Sequence, residues 1–358
     1  MTHSAKNPLI AKVDALEAGT SLNVFGYSHV KFQIINAIMC GGHPILVSKP
    51  GLAKTALLSS IGNQVEGCDW HAEQFTADMR PSDIKGSRPF NPITGAYEEA
   101  PGPIWNTDTN ASKHLLLADE INRAQPKTNG VLLRIMQEGF FNLGPTRYDM
   151  HPMFTVVATR NPVEQEGVFV LPEAVTDRFL FELRMGHETF ENEGKMLRNP
   201  ATYGRGGNSK QTKKVISVDE IITVRNEMVE LAVSANNEVQ DLVLHLVRAT
   251  RPEDGAKMFD KIFALDDNEQ ELKGQTFREQ IADGAGPRAE IAIMRSAAAV
   301  AWRRGLPAIN PDCVKLVFRD CVRHRLYLTD AAKFGGFNAD DFLTPLLRKV
   351  PILAGIKG

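Results

Sequence analysis

No apolar run in the 358 residues approaches membrane-spanning length, and the N-terminus lacks the charged-then-apolar pattern of an export signal. Cysteine is scarce. Cys40, Cys68, Cys313 and Cys321 are scattered and form no C-x-x-C pair. That argues against a disulfide or metal framework and for small buried hydrophobes in a reducing compartment, so the cytoplasm is the expected location. Excess charge is missing too. A formal net charge of −2 and no basic, aromatic-laced segment give no reason to expect a nucleic-acid partner. Internal repeats and low-complexity tracts are also absent. What remains is an ordinary globular composition, 43% hydrophobic and 23% charged, in a chain long enough for two domains with their own cores.

The most informative stretch is Pro44 to Ile61. Pro44-Ile45-Leu46-Val47 reads as a buried strand. The loop Ser48-Lys49-Pro50-Gly51-Leu52-Ala53-Lys54-Thr55 and a Leu/Ala-rich helix follow it. Strand, tight loop and a Lys-Thr pair opening a helix form the layout of a phosphate-binding loop, in which backbone N–H groups and a helix N-terminus face an anion. Lys54 would reach the β/γ-phosphates of a nucleotide, and the Thr55 hydroxyl would hold Mg²⁺. Ser48 and Ala53 stand where the consensus has glycine, so an ordinary strand-to-helix turn is the competing reading.

Partner motifs lie downstream. His114 to Ala118 is a second apolar strand running into Asp119-Glu120. Ligands of an open parallel sheet bind beyond the C-terminal ends of its strands. Two adjacent carboxylates there suit a metal-holding Asp119 and a general base Glu120. Phe154 to Thr159 is a third such strand, ending at Arg160-Asn161-Pro162, where the Asn161 amide could orient a water or cap the turn. Trp70–Phe75 and Phe179–Met185 complete the expected strands. Breaker-rich residues 76–105 exclude a long regular element, and Phe140 to Met150 reads as a hairpin around Gly144-Pro145. Residues 186–216 have linker composition. Helices follow: one opened by the capping box Ser217-Val218-Asp219-Glu220, one faced by Val239, Leu242, Val243, Leu246 and Val247, one from Pro287 to Gly305, and a last clear one capped by Asn310-Pro311. Residues 253–284 are polar and read as an exposed excursion. The expectation is an α/β fold, a P-loop parallel-sheet domain over 1–190, a linker over 191–216 and a helical lid over 217–358.

In this order the phrases PGLAKT (50–55), ADEINRAQPKT (118–128), ATRNPVEQEG (158–167), LPEAVTDRF (171–179), GPRA (286–289) and VRHRL (322–326) resemble the MoxR family of AAA+ ATPases. The resemblance runs from roughly Phe75 to His324, plus the loop at 48–55. It makes Ala53 an expected residue and leaves Ser48 a departure. It implies sensor 1 at Asn161, an arginine finger at Arg178 acting on ATP in a neighbouring subunit, and sensor 2 at Arg288 in the lid. Arg123 would be a further intersubunit arginine or a solvated side chain. The stretch 76–105 would be the helix 2 insert and the 140–150 hairpin the pre-sensor 1 hairpin. The implied cofactors are ATP and Mg²⁺. The implied assembly is a homo-oligomeric ring, most often a hexamer, that remodels or activates a client protein, often with a von Willebrand factor A-domain partner. A nucleic-acid motor and a non-hydrolysing scaffold are the alternative functions.

Overall fold

The computed structural model describes residues 7–49, 51–161, 169–198, 213–252 and 280–348. The chain falls into two compact units, Met1–Phe179 with Leu183–Arg225, and Leu180–Glu182 with Asn226–Gly358.

The first unit is built on a five-stranded sheet of β1 (Pro44–Ser48), β2 (Trp70–Gln74), β3 (Leu115–Asp119), β4 (Thr155–Arg160) and β5 (Phe181–Met185), in the order β5-β1-β4-β3-β2. The β1–β4, β4–β3 and β3–β2 pairs are parallel. Parallel strands are covered on both faces, which is why β1, β3 and β4 read as unbroken apolar runs instead of alternating ones. The helices of this unit include α1 (Pro8–Asn23), α2 (Ser28–Cys40), α3 (Lys54–Gln64) and α4 (Pro126–Glu138). One core cluster packs Ile45, Leu116, Ala118, Val156 and Ala158 of the sheet with Leu132, Leu133 and Ile135 of α4. Helix α2 stops at Gly41, whose φ of 70° favours glycine. The space matters as well: a Cβ there would lie 2.8 Å from Cζ of Arg225. That guanidinium donates to the carbonyls of Ile38 (2.7 Å), Met39 (3.4 Å) and Pro152, tying off the helix C-terminus.

Residues 76–105 hold more order than their breakers suggest. A short helix, Pro81–Lys85, leads to two-residue strand pairs, Gly86–Ser87 with Ala100–Pro101 and Phe90–Asn91 with Ala96–Tyr97. Pieces this short carry no readable periodicity. The hairpin is present as Phe140–Leu143 against Thr146–Asp149. It is tied to the insert: Trp105 meets Phe141 and Tyr148 edge-on, and Glu99 accepts hydrogen bonds from Thr146 (2.6 Å) and Tyr148 (2.8 Å).

Histidines precede three of the strands, β1, β3 and β4. His43 precedes β1 and accepts the Val156 N–H at Nδ1 (3.0 Å). His114 precedes β3 and accepts the Asp69 N–H (3.0 Å); His151, before β4, accepts the Met153 N–H (3.0 Å). The His114 and His151 rings lie 4.4 Å apart.

Residues 190–197, inside the stretch of linker composition, form a helix, α5 (Phe190–Leu197), capped by Thr189. The capping box at Ser217 is present: the Glu220 N–H donates to Ser217 Oγ and the Ser217 N–H to Glu220 Oε2. It opens α6 (Val218–Val233), within which the boundary between the units falls. The second unit is helical, with α7 (Asn237–Arg248), α8 (Pro287–Arg303), α9 (Pro311–Val322) and α10 (Ala339–Arg348). The run Ser296 to Ala301 on α8 is buried throughout, and its small side chains let α7 and α9 pack close. Ile281, read as part of an exposed excursion, is buried in a strand, Ile281–Asp283, paired with Tyr327–Leu328; residues 253–279 of that stretch lie outside the described residues. Arg323, only 8% exposed, is matched by Asp340 (3.0 Å) and Asp320 (3.3 Å), as a buried cation must be.

Candidate active site

The turn from β1 into α3 has the backbone of an anion cradle. Gly51 (φ 83°) and Ala53 (φ 55°) both adopt left-handed conformations, and a Cβ at Gly51 would meet nothing, so conformation alone calls for glycine there. Alternation of hand turns successive N–H groups toward one side. Ser48 is 1% exposed and its Oγ has no partner among the described residues. Lys49 and Thr55 are exposed, Leu52 is half-buried, and Pro50 lies outside the described residues.

Lys54, the first residue of α3, turns inward and is 7% exposed. Its Nζ stands 3.1 Å from Asp119 Oδ1 and donates to Thr159 Oγ1 at 3.4 Å. The Thr159 hydroxyl in turn donates to Asp119 Oδ1 and accepts the N–H of Glu120 (2.9 Å). Glu120 follows β3 in a left-handed conformation, φ 53°. Its carboxylate faces three side-chain donors. Oε1 accepts from Asn161 Nδ2 at 2.9 Å; Oε2 accepts from Gln74 Nε2 at 2.9 Å and pairs with Arg123 Nε at 2.7 Å.

Sheet topology explains the gathering. Parallel pairing puts the C-terminal ends of β1, β4, β3 and β2 side by side, so residues from four distant segments end at one edge. Lys54, Asp119, Glu120 and Asn161 are brought together there. Arg178 sits in the turn after the helix Glu173–Thr176, half-buried, with no partner for its Nε among the described residues. Arg288 is the exposed second residue of α8 and belongs to the second unit. Sequence reasoning missed Thr159 and Gln74. It also left Arg123 without its pairing to Glu120.

A pocket adjoins the loop, lined by Asn23, Val24, Tyr27, Gly51–Ala53 and, from the other side, Glu188, Asn192 and Met196. Glu188 fixes its wall by accepting the Tyr27 N–H (2.6 Å) and an Asn192 N–H (2.7 Å). Burial pushes the Glu188 carboxyl up, but the donors from Asn192, Tyr27 and Thr189 outweigh it and hold the group below the usual carboxylate range. Tyr27, Ala53 and Glu120 are three of the four described non-glycine residues with positive φ. Such conformations cost energy and gather where function over-determines the backbone.

The donor set suits a nucleotide with magnesium. The curled N–H groups, Lys54 and the unpartnered Ser48 hydroxyl fit phosphate oxygens. The Asp119 carboxylate and Thr55 hydroxyl are hard oxygen ligands. No cluster of three or more His, Cys, Asp or Glu able to cage an ion exists among the described residues.

The fold and site define a P-loop α/β nucleotide protein, and comparison with known proteins narrows it. Residues 43–181 match the model of the ATPase family associated with various cellular activities (AAA), and residues 275–345 match an AAA lid domain. The chain is 30% identical to the uncharacterized protein YeaC of Bacillus subtilis over 91% of each chain. It is 32% identical to the chaperone MoxR1 of Mycobacterium tuberculosis, over 86% of this chain and 73% of that one. The solved structure of a candidate ATPase from Cytophaga hutchinsonii superposes with a TM-score of 0.81 at 29% identity, covering 96% of this chain and 95% of the other. The chain belongs to the MoxR family of AAA+ ATPases. Nucleotide binding comes with that membership. Among the described residues no helix is long and apolar enough to cross a membrane.

Proposed function

We propose that this protein binds and hydrolyses ATP with Mg²⁺, within a homo-oligomeric ring, to remodel or activate a client protein. The observation that carries the reading is the convergence of Lys54, Asp119, Glu120 and Asn161 at one sheet edge. Backbone N–H groups of the 48–55 loop and Lys54 hold the phosphates, and the pocket between Tyr27 and Asn192 takes the nucleoside end. Thr55 and Asp119 would hold a magnesium ion, which would supply neutralisation of phosphate charge. Glu120 removes a proton from the attacking water, which Asn161 orients. Negative charge spreads over the transferring phosphoryl oxygens, so cations from several directions lower the barrier. Arg178 supplies one to the neighbouring subunit's site and Arg288 another from the lid, which makes hydrolysis depend on assembly, a hexamer being the expected ring.

The client role is supported by the chaperone named among the relatives and by the insert, whose tip exposes Phe90 (55%), Ile93 (93%) and Tyr97 (63%). A client bearing a von Willebrand factor A domain fits the family. The test is Glu120→Gln. This variant should retain ATP while kcat falls by about 10²–10⁴, the range of a lost general base. Near-normal turnover removes Glu120 from that role. Mixing Arg178→Ala with Glu120→Gln subunits should restore part of the activity, and none at any ratio counts against a shared site. Clients should co-purify with Glu120→Gln in ATP and leave on nucleotide removal.

A further inference from the structure

We propose that Thr159 is the positioning residue of the hydrolytic site, a junction through which Lys54, Asp119 and the backbone of Glu120 are set relative to one another. The inference rests on the nucleotide-site reading above and extends it to a residue outside the recognised loop, carboxylate pair and sensor.

Thr159 is 0% exposed and occupies the next-to-last position of β4, the central strand between β1 and β3. It pairs in register with Leu46 of β1, and its neighbour Ala158 pairs with Ala118, immediately before Asp119. The side chain therefore sits between the phosphate loop and the carboxylate pair. A hydroxyl offers one proton and two lone pairs, and all three are used. The proton goes to Asp119 Oδ1. The lone pairs accept from Glu120 N (2.9 Å) and Lys54 Nζ (3.4 Å). No valence remains for solvent, so the group works as a fixed connector.

The consequences are specific. Asp119 Oδ1 receives both the Thr159 proton and the Lys54 ammonium, and the threonine bond holds its rotamer when Lys54 leaves to meet phosphate. Glu120 stands at φ 53°, a conformation a glutamate does not favour, and the bond from its N–H to Thr159 is what the side chain of another strand contributes to holding it there. Valine keeps the shape of threonine but leaves the Glu120 N–H without this acceptor and Asp119 without this donor.

Thr159→Val, Thr159→Ala and Thr159→Ser test this in the full chain. Expected is a fall in kcat of at least tenfold for Val and Ala, with Ser within about threefold of wild type. ADP affinity without magnesium, read by calorimetry, should stay within about threefold. The Mg²⁺ concentration that half-saturates its strengthening of ADP binding should rise severalfold for Val and Ala alone. Alanine adds no bulk and serves if valine fails to fold. Wild-type kcat and magnesium response in Val or Ala overturns the proposal. So does a serine variant as impaired as valine, because the hydroxyl is then not the operative group. A wild-type chain that binds no ATP refutes the underlying reading and takes this one with it. Wild-type binding and turnover with unaffected Thr159 variants refutes the junction alone.

Discussion

Mild acid should weaken the first unit through His114 and His151. Each ring accepts a backbone N–H at Nδ1, which a doubly protonated imidazolium cannot do. Burial lowers the His114 pKa; His151 and Lys113 push the same way, against Asp69 and its backbone bond. Burial also lowers His151, helped by Arg225 and opposed by Asp219. For a base whose folded pKa lies below its unfolded one, the unfolded chain binds more protons between the two values. Stability is then complete above the unfolded pKa, near 6.5, and falls as pH drops through it toward the folded pKa. One such group can change stability by at most about 1.4 kcal/mol per pH unit in that window, so two set a ceiling near 3 kcal/mol per unit. With the rings 4.4 Å apart, the first charge opposes the second, and the expected loss is about 1–2 kcal/mol between pH 7.5 and 5.5. For a unit of this size that is a fall of several degrees in the midpoint of its unfolding.

Calorimetric scans from pH 7.5 to 5.5 would measure this, alongside the His114→Asn/His151→Asn double variant. An asparagine carbonyl stands near the position of Nδ1 and accepts without titrating. The double variant should lose most of the slope, while the protection factors of the Asp69 and Met153 amides, taken relative to intrinsic exchange at each pH, should fall in acid only in wild type. A wild-type midpoint that ignores pH over this range, or an unchanged slope in the double variant, refutes the reasoning. The carboxylates held below their usual range, Asp69, Glu188 and Glu220 among them, lose stabilisation only as pH falls further, so they do not mimic the effect.

Two further outcomes are expected. Lys54→Ala should abolish ATP binding by calorimetry, and should shift the unfolding midpoint little in nucleotide-free protein, because Asp119 keeps Thr159 and part of its water; unchanged ATP affinity sinks the phosphate-loop assignment. Arg225→Ala should cost about 2–3 kcal/mol in urea unfolding, since it strips charged donors from the carbonyls ending α2, with Arg225→Lys recovering only part; a change below about 0.5 kcal/mol shows that water caps those carbonyls equally well.

The sheet was legible because a parallel sheet demands apolar runs and chemistry demands particular residues at their ends. Ile45-Leu46-Val47, Leu115-Leu116-Leu117 and Val156-Val157-Ala158 could hardly be anything else, and Lys54, Asp119-Glu120 and Asn161 each follow one of them within a few residues. Helices were legible where caps announced them, as at Ser217 and Asn310. Helix α10 was not, because Pro345 lies inside it and proline ordinarily argues for a break. The insert hid for a related reason: its strands are two residues long and its order comes from Glu99 and Trp105, which meet partners some forty residues away.

Thr159 and Gln74 escaped for a deeper reason. In a strand, threonine is a common filler whose branched Cβ suits the pleat, and glutamine at the end of a half-exposed strand reads as solvent-facing. Neither acquires meaning until β4 is known to lie between β1 and β3, and β2 beside β3. Groups that touch a ligand are constrained by chemistry and so leave a mark in linear sequence. Groups that position them are constrained only by strand order, which linear sequence does not display. The same order that puts four segments' ends around Glu120 puts His114 and His151 together where strands begin. One topology thus generates the edge that gathers Lys54, Asp119 and Glu120 and the edge that carries the two histidines, and a pH profile of ATPase activity set beside the unfolding midpoint tests the second: loss of kcat that tracks the midpoint belongs to the histidines.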